Sequence, residues 1–185
     1  MTSNYGYTQF ETIDINNLDP VIIETFKRID TNNSGRLSRS EMFEAFCNPD
    51  GSDFTKETIV LLCGMFDSDE SGGLDLKDFA HLFHFMEQWQ ILYRKYDLSR
   101  RGLLSVDDMI RALNDLGYRD INHGVVNNVV RRLGTQTTIH MDAFIRVCSV
   151  CKRVTDNFRK RDKHGTGLLR ISYSDFLRLA LKSCF

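Results

Sequence analysis

The sequence contains little proline, little net charge and no long apolar run. Only 2 of its 185 residues are prolines, so we expect no proline-rich linker. No apolar stretch approaches the roughly 18 residues that a membrane-spanning helix needs. The formal net charge of −1 gives no electrostatic reason to expect a nucleic-acid partner. Hydrophobic residues make up 42% of the chain, which is enough to form the core of a globular protein.

The 5 cysteines are odd in number, widely separated and set among apolar residues. This pattern is typical of free thiols in a reducing compartment rather than of a disulfide framework. Cys148 and Cys151 form a single C-x-x-C pair on a predicted helix, without a second pair or the histidine spacing of a zinc site, so we expect core or interface cysteines. The first residues, MTSNYGYTQFETID, have neither a basic start nor an apolar stretch, so we expect no signal peptide and a cytoplasmic protein.

One unit recurs along the chain: an apolar helical stretch, a polar loop with glycine at position six and an aliphatic residue at position eight, and a second helical stretch. Four loops begin with aspartate, at Asp30, Asp67, Asp97 and Asp162. A further copy, RRLGTQTTIHMDAFI, has a loop two residues shorter and without early acidic residues. The position-eight residues, spaced by 37, 30, 35 and 30 residues, are Leu37, Leu74, Leu104, Ile139 and Leu169. The first loop matches the D-x-[DN]-x-[DNS]-G-x₅-E pattern of a calcium-binding EF-hand.

The two spacings of 30 residues are too short for an outgoing helix, a linker and a new incoming helix. We therefore predict one long helix from Lys77 to Tyr96, shared by units two and three, and another from Asp142 to Arg161, shared by units four and five. The fold class is predicted to be all-α, with five EF-hand helix-loop-helix units and short two-residue β contacts between paired loops. Asp19 before Pro20 predicts the cap and the start of the first helix.

The chain divides into a short flexible N-terminal tail, 1–19, and one domain, 20–185. The predicted units lie near 20–48, 55–86, 79–117, 123–151 and 142–185. Units one and two can pair through their loops, as can units three and four. The fifth unit has no partner within the chain, so its apolar face predicts a dimer.

Loops one and two carry the predicted metal ligands. Calcium takes six to eight oxygens, which an EF-hand loop supplies from positions one, three, five, seven (backbone), nine (often through water) and twelve. The ligands predicted in loop one are Asp30, Asn32, Ser34, the Arg36 carbonyl, Ser38 through water, and Glu41. Those predicted in loop two are Asp67, Asp69, Ser71, the Gly73 carbonyl, Asp75 and Asp78. Loop one contains only two acidic ligands, so we expect micromolar or weaker affinity, within a sensor range of roughly 10⁻⁷ to 10⁻⁵ M.

Loop two has aspartate, not glutamate, at position twelve. The shorter Asp78 side chain reaches an ion less readily with both oxygens, so we expect Ca²⁺ binding with Mg²⁺ as a possible competitor at this loop. Loop three has Arg101 at position five, where a guanidinium repels a cation, and we expect it to be empty. Loop four lacks acidic residues at positions one, three and five, and loop five has His164 at position three and Tyr173 at position twelve. Neither loop is therefore predicted to bind calcium.

Three further segments carry a family resemblance: FHFMEQWQILYRKYD, ALNDLGYRDI and FRKRDKHGTGLLRISYSDFL. With the five units and the shared helices, they resemble the penta-EF-hand family, which includes the calpain small subunit, sorcin, the apoptosis-linked-gene subgroup and the grainins. The intact first loop is more similar to the apoptosis-linked-gene and grainin side than to the calpain side. The resemblance implies a homodimer or heterodimer through the fifth unit, calcium-dependent exposure of apolar surface, and binding to protein partners or membranes.

We therefore expect a calcium sensor or adaptor. Calcium at loops one and two would make aromatic surface available to a partner, from residues that include Phe43, Phe46, Phe83, Phe85, Trp89 and Tyr93. Two alternatives remain open: a calcium buffer or granule storage protein, and the regulatory subunit of a calcium-dependent protease. Granule or reversible membrane association with calcium is a further expectation. The chain has no nucleophile elbow, phosphate-binding loop or catalytic carboxylate pair, so we do not expect an enzyme.

Overall fold

The computed structural model describes residue 14 and residues 17–46, 54–118, 123–132 and 138–184. Those ranges contain eight α-helices. They are α1 (Pro20–Ile29), α2 (Arg39–Ala45), α3 (Lys56–Phe66), α4 (Leu76–Tyr96), α5 (Val106–Asp115), α6 (His123–Arg132), α7 (Met141–Arg159) and α8 (Tyr173–Cys184). Helices flank every loop that the repeat predicts, which confirms the all-α EF-hand fold class.

Both shared helices are present, as the 30-residue spacings predicted. Helix α4 runs without interruption from loop two to loop three. Helix α7 begins at Met141 and ends at Arg159, two residues before the predicted end. The helix ends early because its backbone tightens after Arg159. The Arg161 amide donates to the carbonyl of Phe158, three residues earlier, at 2.9 Å, whereas an α-helix bonds to the residue four positions earlier.

Two isolated antiparallel β-bridges join the loops in pairs. Leu37 and Leu74 exchange backbone hydrogen bonds of 2.8 and 3.0 Å, and Leu104 and Ile139 exchange bonds of 2.9 and 2.7 Å. All four side chains are buried. Units one and two therefore form one pair and units three and four another, as predicted.

Aromatic side chains join the two pairs into one core. The Phe144 ring of α7 lies 6.0 Å from the Trp89 ring and 5.2 Å from the Tyr93 ring, both of α4. At the surface above this core, the Thr55 amide donates to an Asp142 carboxylate oxygen at 3.0 Å. The ring contacts join α4 to α7, and the hydrogen bond joins the start of α3 to α7.

The first helix begins where the sequence predicted. The Asp19 carboxylate accepts a hydrogen bond from the Val21 amide at 2.9 Å, and Pro20 is the first helical residue. The predicted tail, 1–19, lies outside the described residues except for 14 and 17–19, and the predicted unit ends at 48 and 185 also lie outside them. None of the helices among the described residues has the length and apolar character needed to cross a membrane.

Among the cysteines with described side chains, Cys63, Cys148 and Cys151 are free thiols. Cys63 and Cys148 are buried, and Cys151 is half-buried. Burial raises the pKa of Cys63 to about 11 and that of Cys151 to about 12, so neither thiol ionises readily. Cys148 and Cys151 lie on α7 next to the core, in agreement with the prediction of structural cysteines.

Candidate metal centres

Four loops share one fold around their first aspartate. In each, a carboxylate oxygen of the position-one aspartate accepts a hydrogen bond from the amide of the position-six glycine. The distances are 2.8 Å for Asp30 and Gly35, 2.8 Å for Asp67 and Gly72, 2.8 Å for Asp97 and Gly102, and 2.7 Å for Asp162 and Gly167. The glycines have φ between +69° and +88°, a conformation that side-chain-bearing residues rarely adopt. The aspartate at position one and the glycine at position six therefore give all four loops the same shape, although their other ligand positions differ.

Loop one brings its early ligand positions together. The Ser34 amide donates to Asp30 at 2.9 Å and to the Asn32 side-chain oxygen at 2.8 Å. The Ser34 hydroxyl donates to the Arg36 carbonyl at 2.8 Å. Oxygen atoms from positions one, three, five and seven thus lie around one point, as the EF-hand pattern requires.

The position-twelve carboxylate of loop one is held by hydrogen bonds at both oxygens. Glu41 Oε2 accepts from the Ser38 amide at 2.9 Å and its hydroxyl at 2.8 Å, and Oε1 accepts from the Thr31 amide at 3.1 Å and its hydroxyl at 3.0 Å. These bonds, those from Ser38 above all, lower the pKa of Glu41 to about 2. Ser38, predicted as a water-mediated ligand, is also the N-cap of α2 in a reciprocal capping box. Glu41 is therefore ionised and positioned at the loop before any metal binds.

Loop two holds the densest group of acidic ligands in the described part of the chain. One carboxylate oxygen from each of Asp67, Asp69 and Asp78 lies within 4.8 Å of the others. The Ser71 amide donates to Asp67 at 3.0 Å and to Asp69 at 3.2 Å, and the Ser71 hydroxyl donates to the Gly73 carbonyl at 3.0 Å. Five of the six predicted ligands of this loop therefore share one small region, and the sixth, Asp75, caps α4 by accepting a hydrogen bond from the Asp78 amide at 2.9 Å.

Asp78 indicates that this region suits a cation. Its side chain is only 2% exposed, and Oδ2 has no hydrogen-bond partner among the described residues. A buried carboxylate oxygen without a partner is costly, and a hard cation would satisfy it. Calcium is the metal that oxygen ligands in this loop pattern bind, and its two positive charges would offset most of the negative charge of the three aspartates. The residues of loop two thus fit the ion that the pattern predicts.

The side chain of Arg36 crosses from loop one into loop two. Its Nη2 donates to Asp69 Oδ2 at 2.6 Å, and its Nη1 donates to Asp69 Oδ1 at 3.3 Å and to the Gly73 carbonyl at 3.4 Å. The Ser71 hydroxyl oxygen accepts a further bond from Nη1. The hydrogen bond from Arg36 is the main reason that the pKa of Asp69 is lowered, and the pKa of Arg36 is raised for the same reason.

The sequence analysis assigned Arg36 only a backbone carbonyl in loop one and did not find this contact. Two features could have indicated it. Residues at position eight of paired loops form a bridge, so position seven of loop one lies close to loop two. In loop two, position seven is Gly73, which presents no side chain to block the approach.

Loop three keeps its shape with a different charge pattern. The Asp108 carboxylate at position twelve accepts bonds from the Ser105 amide at 3.0 Å and the Ser105 hydroxyl at 2.6 Å, and it pairs with Arg111. Arg101 at position five is exposed and contributes its backbone amide to Asp97 at 3.3 Å. No cluster of three metal-ligand side chains forms here among the described residues.

Loops four and five offer even fewer ligands. Residues 133–137 of loop four lie outside the described ranges, so its predicted shortening falls on residues that are not described. In loop five, Asp162 accepts from the Thr166 amide at 3.0 Å, but Tyr173 at position twelve is 76% exposed and has no carboxylate. Loop five therefore has the shape of an EF-hand loop without its last acidic ligand.

Comparison with known proteins agrees with this architecture. The EF-hand domain pair family matches residues 19–84. Peflin from Danio rerio is 31% identical over 89% of this chain and 62% of its own length, and peflin from Mus musculus is 32% identical over 88% and 60%. This chain thus spans about 60% of the length of the peflins that it matches. Sorcin from Schistosoma japonicum is 30% identical over 84% of this chain and 91% of its own length.

A solved structure shows the same fold. It is the structure of a homolog of programmed cell death 6 protein from Leishmania major Friedlin, with a TM-score of 0.70 and 24% identity over 88% of this chain and 93% of that one. The match to sorcin extends over nearly the whole of that relative, and the structure has the paired loops and shared helices that the resemblance implied. This chain is a calcium-binding EF-hand protein that belongs to the penta-EF-hand family.

Proposed function

We propose that this protein is a calcium sensor or adaptor, in which loops one and two bind the ion and change the surface that the first pair of units offers to a partner. The observation that carries the proposal is the group of Asp67, Asp69 and the buried, unpartnered Asp78 oxygen in loop two. Loop one adds Asp30 and the ionised Glu41. These groups supply the charge that a divalent cation needs.

A groove beside loop one provides the surface that would respond. It has a volume of about 550 Å³ and lies between α1, α2 and α4. Its apolar lining comes from Ile29, Phe46, Phe79, Phe83 and Met86. Glu41 and Thr31 also line it, and both belong to loop one. A metal that draws Glu41 away from Thr31 would move α2 relative to α1 and so widen or reshape the groove.

The aromatic residues expected to face a partner divide into two groups. Phe85, Trp89 and Tyr93 are buried in the core, at 0%, 3% and 3% exposure. Phe46 and Phe83 are half-buried and line the groove, while Phe43 lies on the other side of α2, where Lys56 stands over its ring. The partner surface that we propose is therefore centred on Phe46 and Phe83 rather than on all six residues.

We also propose that the protein forms a dimer through its fifth unit. Helix α8 packs against α7 and carries exposed apolar side chains at Tyr173, Phe176, Leu177 and Leu181. Leu169 stands at position eight of loop five but forms no bridge with any described residue. A second copy of the chain could supply both the missing loop partner and the cover for α8.

Calorimetric titration of metal-free protein with calcium, in millimolar magnesium, tests the sensor. We expect two sites for each chain in the micromolar range, with binding of a hydrophobic dye increasing as they fill. Glu41→Gln and Asp78→Asn should each remove one site. Two sites without any dye response would instead favour a calcium buffer, and the absence of both sites would contradict the proposal.

A further inference from the structure

We propose that the Arg36 guanidinium is a built-in competitor for the cation of loop two. It contacts three of the predicted ligands of this loop and must leave them before an ion can bind there. The inference rests on the proposed function, because it takes loop two to be a calcium site. It adds a residue from the neighbouring loop that sets the affinity of that site.

The contacts of the guanidinium fall on ligand positions of loop two. Arg36 pairs with both carboxylate oxygens of Asp69 at position three, and it donates to the Ser71 hydroxyl at position five and to the Gly73 carbonyl at position seven. Three of the predicted ligands are thus already in contact with a positive charge. No residue of loop two itself provides that charge.

The β-bridge between the loops and the absence of a side chain at position seven of loop two let the arginine reach these atoms. Leu37 follows Arg36 directly and is hydrogen-bonded to Leu74, which follows Gly73. A Cβ atom at Gly73 would lie 3.6 Å from the Arg36 Cβ and 3.2 Å from the Leu37 carbonyl oxygen. A side chain at position 73 would therefore crowd the path that the arginine takes.

Calcium and the guanidinium cannot use these oxygens together. A calcium ion binds its ligands at about 2.3–2.6 Å, and the oxygens of Asp69, Ser71 and Gly73 that it would use already accept hydrogen bonds from Arg36. Binding therefore requires the open arrangement of Arg36, and the apparent affinity falls by the fraction of molecules in which the loop is open. Asp67 and Asp78 remain for the ion in either arrangement.

The size of the effect follows from the exposure of the pair. The side chains of Arg36 and Asp69 are 41% and 47% exposed, so solvent screens their attraction. Ion pairs in such positions shift an equilibrium by about two- to fivefold. We expect Arg36 to weaken calcium binding at loop two by a factor of this order.

The test uses the full chain with Glu41→Gln to silence loop one, so that calorimetry measures loop two alone. Into this background we would introduce Arg36→Gln, Arg36→Lys, or Arg39→Gln as a matched control. Arg39 is an exposed arginine of the same loop, so its replacement removes the same charge without touching loop two. Trp89, the single tryptophan, is buried and reports by fluorescence that each variant is folded.

We expect Arg36→Gln to bind calcium about two- to fivefold more tightly than Arg39→Gln, with Arg36→Lys in between because lysine keeps the charge but not the forked donors. A site that is measurable only in Arg36→Gln would support the proposal most strongly. Equal affinities in Arg36→Gln and Arg39→Gln would overturn the proposal and leave loop two as a calcium site. If no variant binds calcium, both this proposal and the assignment of loop two as a calcium site in the proposed function are wrong.

Discussion

At the scale of single residues, the position-twelve acids of loops one and two are prepared for metal in different ways. Glu41 has four hydrogen bonds from Thr31 and Ser38, so its charge is satisfied without an ion. Asp78 is also buried, yet one of its oxygens has no hydrogen-bond partner in the described structure. Metal binding must therefore displace protein donors at loop one, whereas it supplies a missing partner at loop two.

Lengthening the Asp78 side chain tests whether this position limits calcium binding. We expect Asp78→Glu to raise calcium affinity at loop two by about tenfold and magnesium affinity by less, because glutamate reaches the ion with both oxygens and calcium accepts the higher coordination number. Competitive titration of the two ions would measure the change. Asp108→Glu is the matched control, since it makes the same substitution at position twelve of loop three, where Arg101 stands at position five. A new calcium site in that control would show that position twelve alone decides binding.

Removing the charge of Asp78 should separate stability from binding. The unpartnered carboxylate destabilises the metal-free protein, so we expect Asp78→Asn to be at least as stable as the parent without calcium. In calcium, the unfolding free energy of the parent should rise with the logarithm of the calcium concentration divided by Kd. The variant should lack the part of this increase that comes from calcium binding at loop two. Urea unfolding with and without calcium measures both quantities. A variant that is less stable than the parent without calcium would contradict the role assigned to the free oxygen.

At the scale of elements, α4 and α7 form the frame to which the loops are attached. Phe144 of α7 is fully buried and lies against both Trp89 and Tyr93 of α4. The Tyr93 hydroxyl in turn lies 2.6 Å from the Gly102 carbonyl and 3.0 Å from the Ile139 carbonyl. This cluster connects the core of the molecule to the bridge between loops three and four.

Phe144→Ala should therefore destabilise the whole domain. A buried phenylalanine replaced by alanine typically costs about 3–5 kcal/mol of unfolding free energy. Val154→Ala on the same helix is the control, because Val154 is 46% exposed and should cost no more than about 0.5 kcal/mol. Denaturant unfolding followed by circular dichroism compares the two. Equal effects would mean that the contact between the long helices is not a main source of stability.

Much of this frame was predictable from sequence, because an EF-hand repeat fixes residue types at fixed positions. The spacing of Leu74, Leu104, Ile139 and Leu169 predicted both shared helices, and the position-eight residues predicted the two bridges. The path of the Arg36 side chain was not predictable from loop one alone. It depends on the neighbouring loop, where Gly73 leaves space and Asp69 supplies the charge. The free oxygen of Asp78 likewise depends on packing that no local pattern encodes.

At the scale of the whole molecule, the fifth unit differs from the other four because its loop has no partner within the described chain. Helix α8 carries Tyr173, Phe176, Leu177 and Leu181 at successive steps of three, one and four residues, which places them along one side of the helix. These side chains are between 39% and 76% exposed. Contiguous apolar surface of this kind is characteristic of a protein–protein interface.

A charge placed on α8 tests the dimer. We expect the parent chain to have twice the mass of one chain by light scattering after size exclusion, and Phe176→Glu to have the mass of one, because a glutamate in a two-fold interface meets its own copy. Ile91→Glu is the matched control, since Ile91 is 66% exposed on α4, away from the fifth unit, and should leave the mass unchanged. If Phe176→Glu stays dimeric, the copies associate through another surface. If the parent chain is itself monomeric, the exposed side of α8 is available to a different protein, as in a heterodimer.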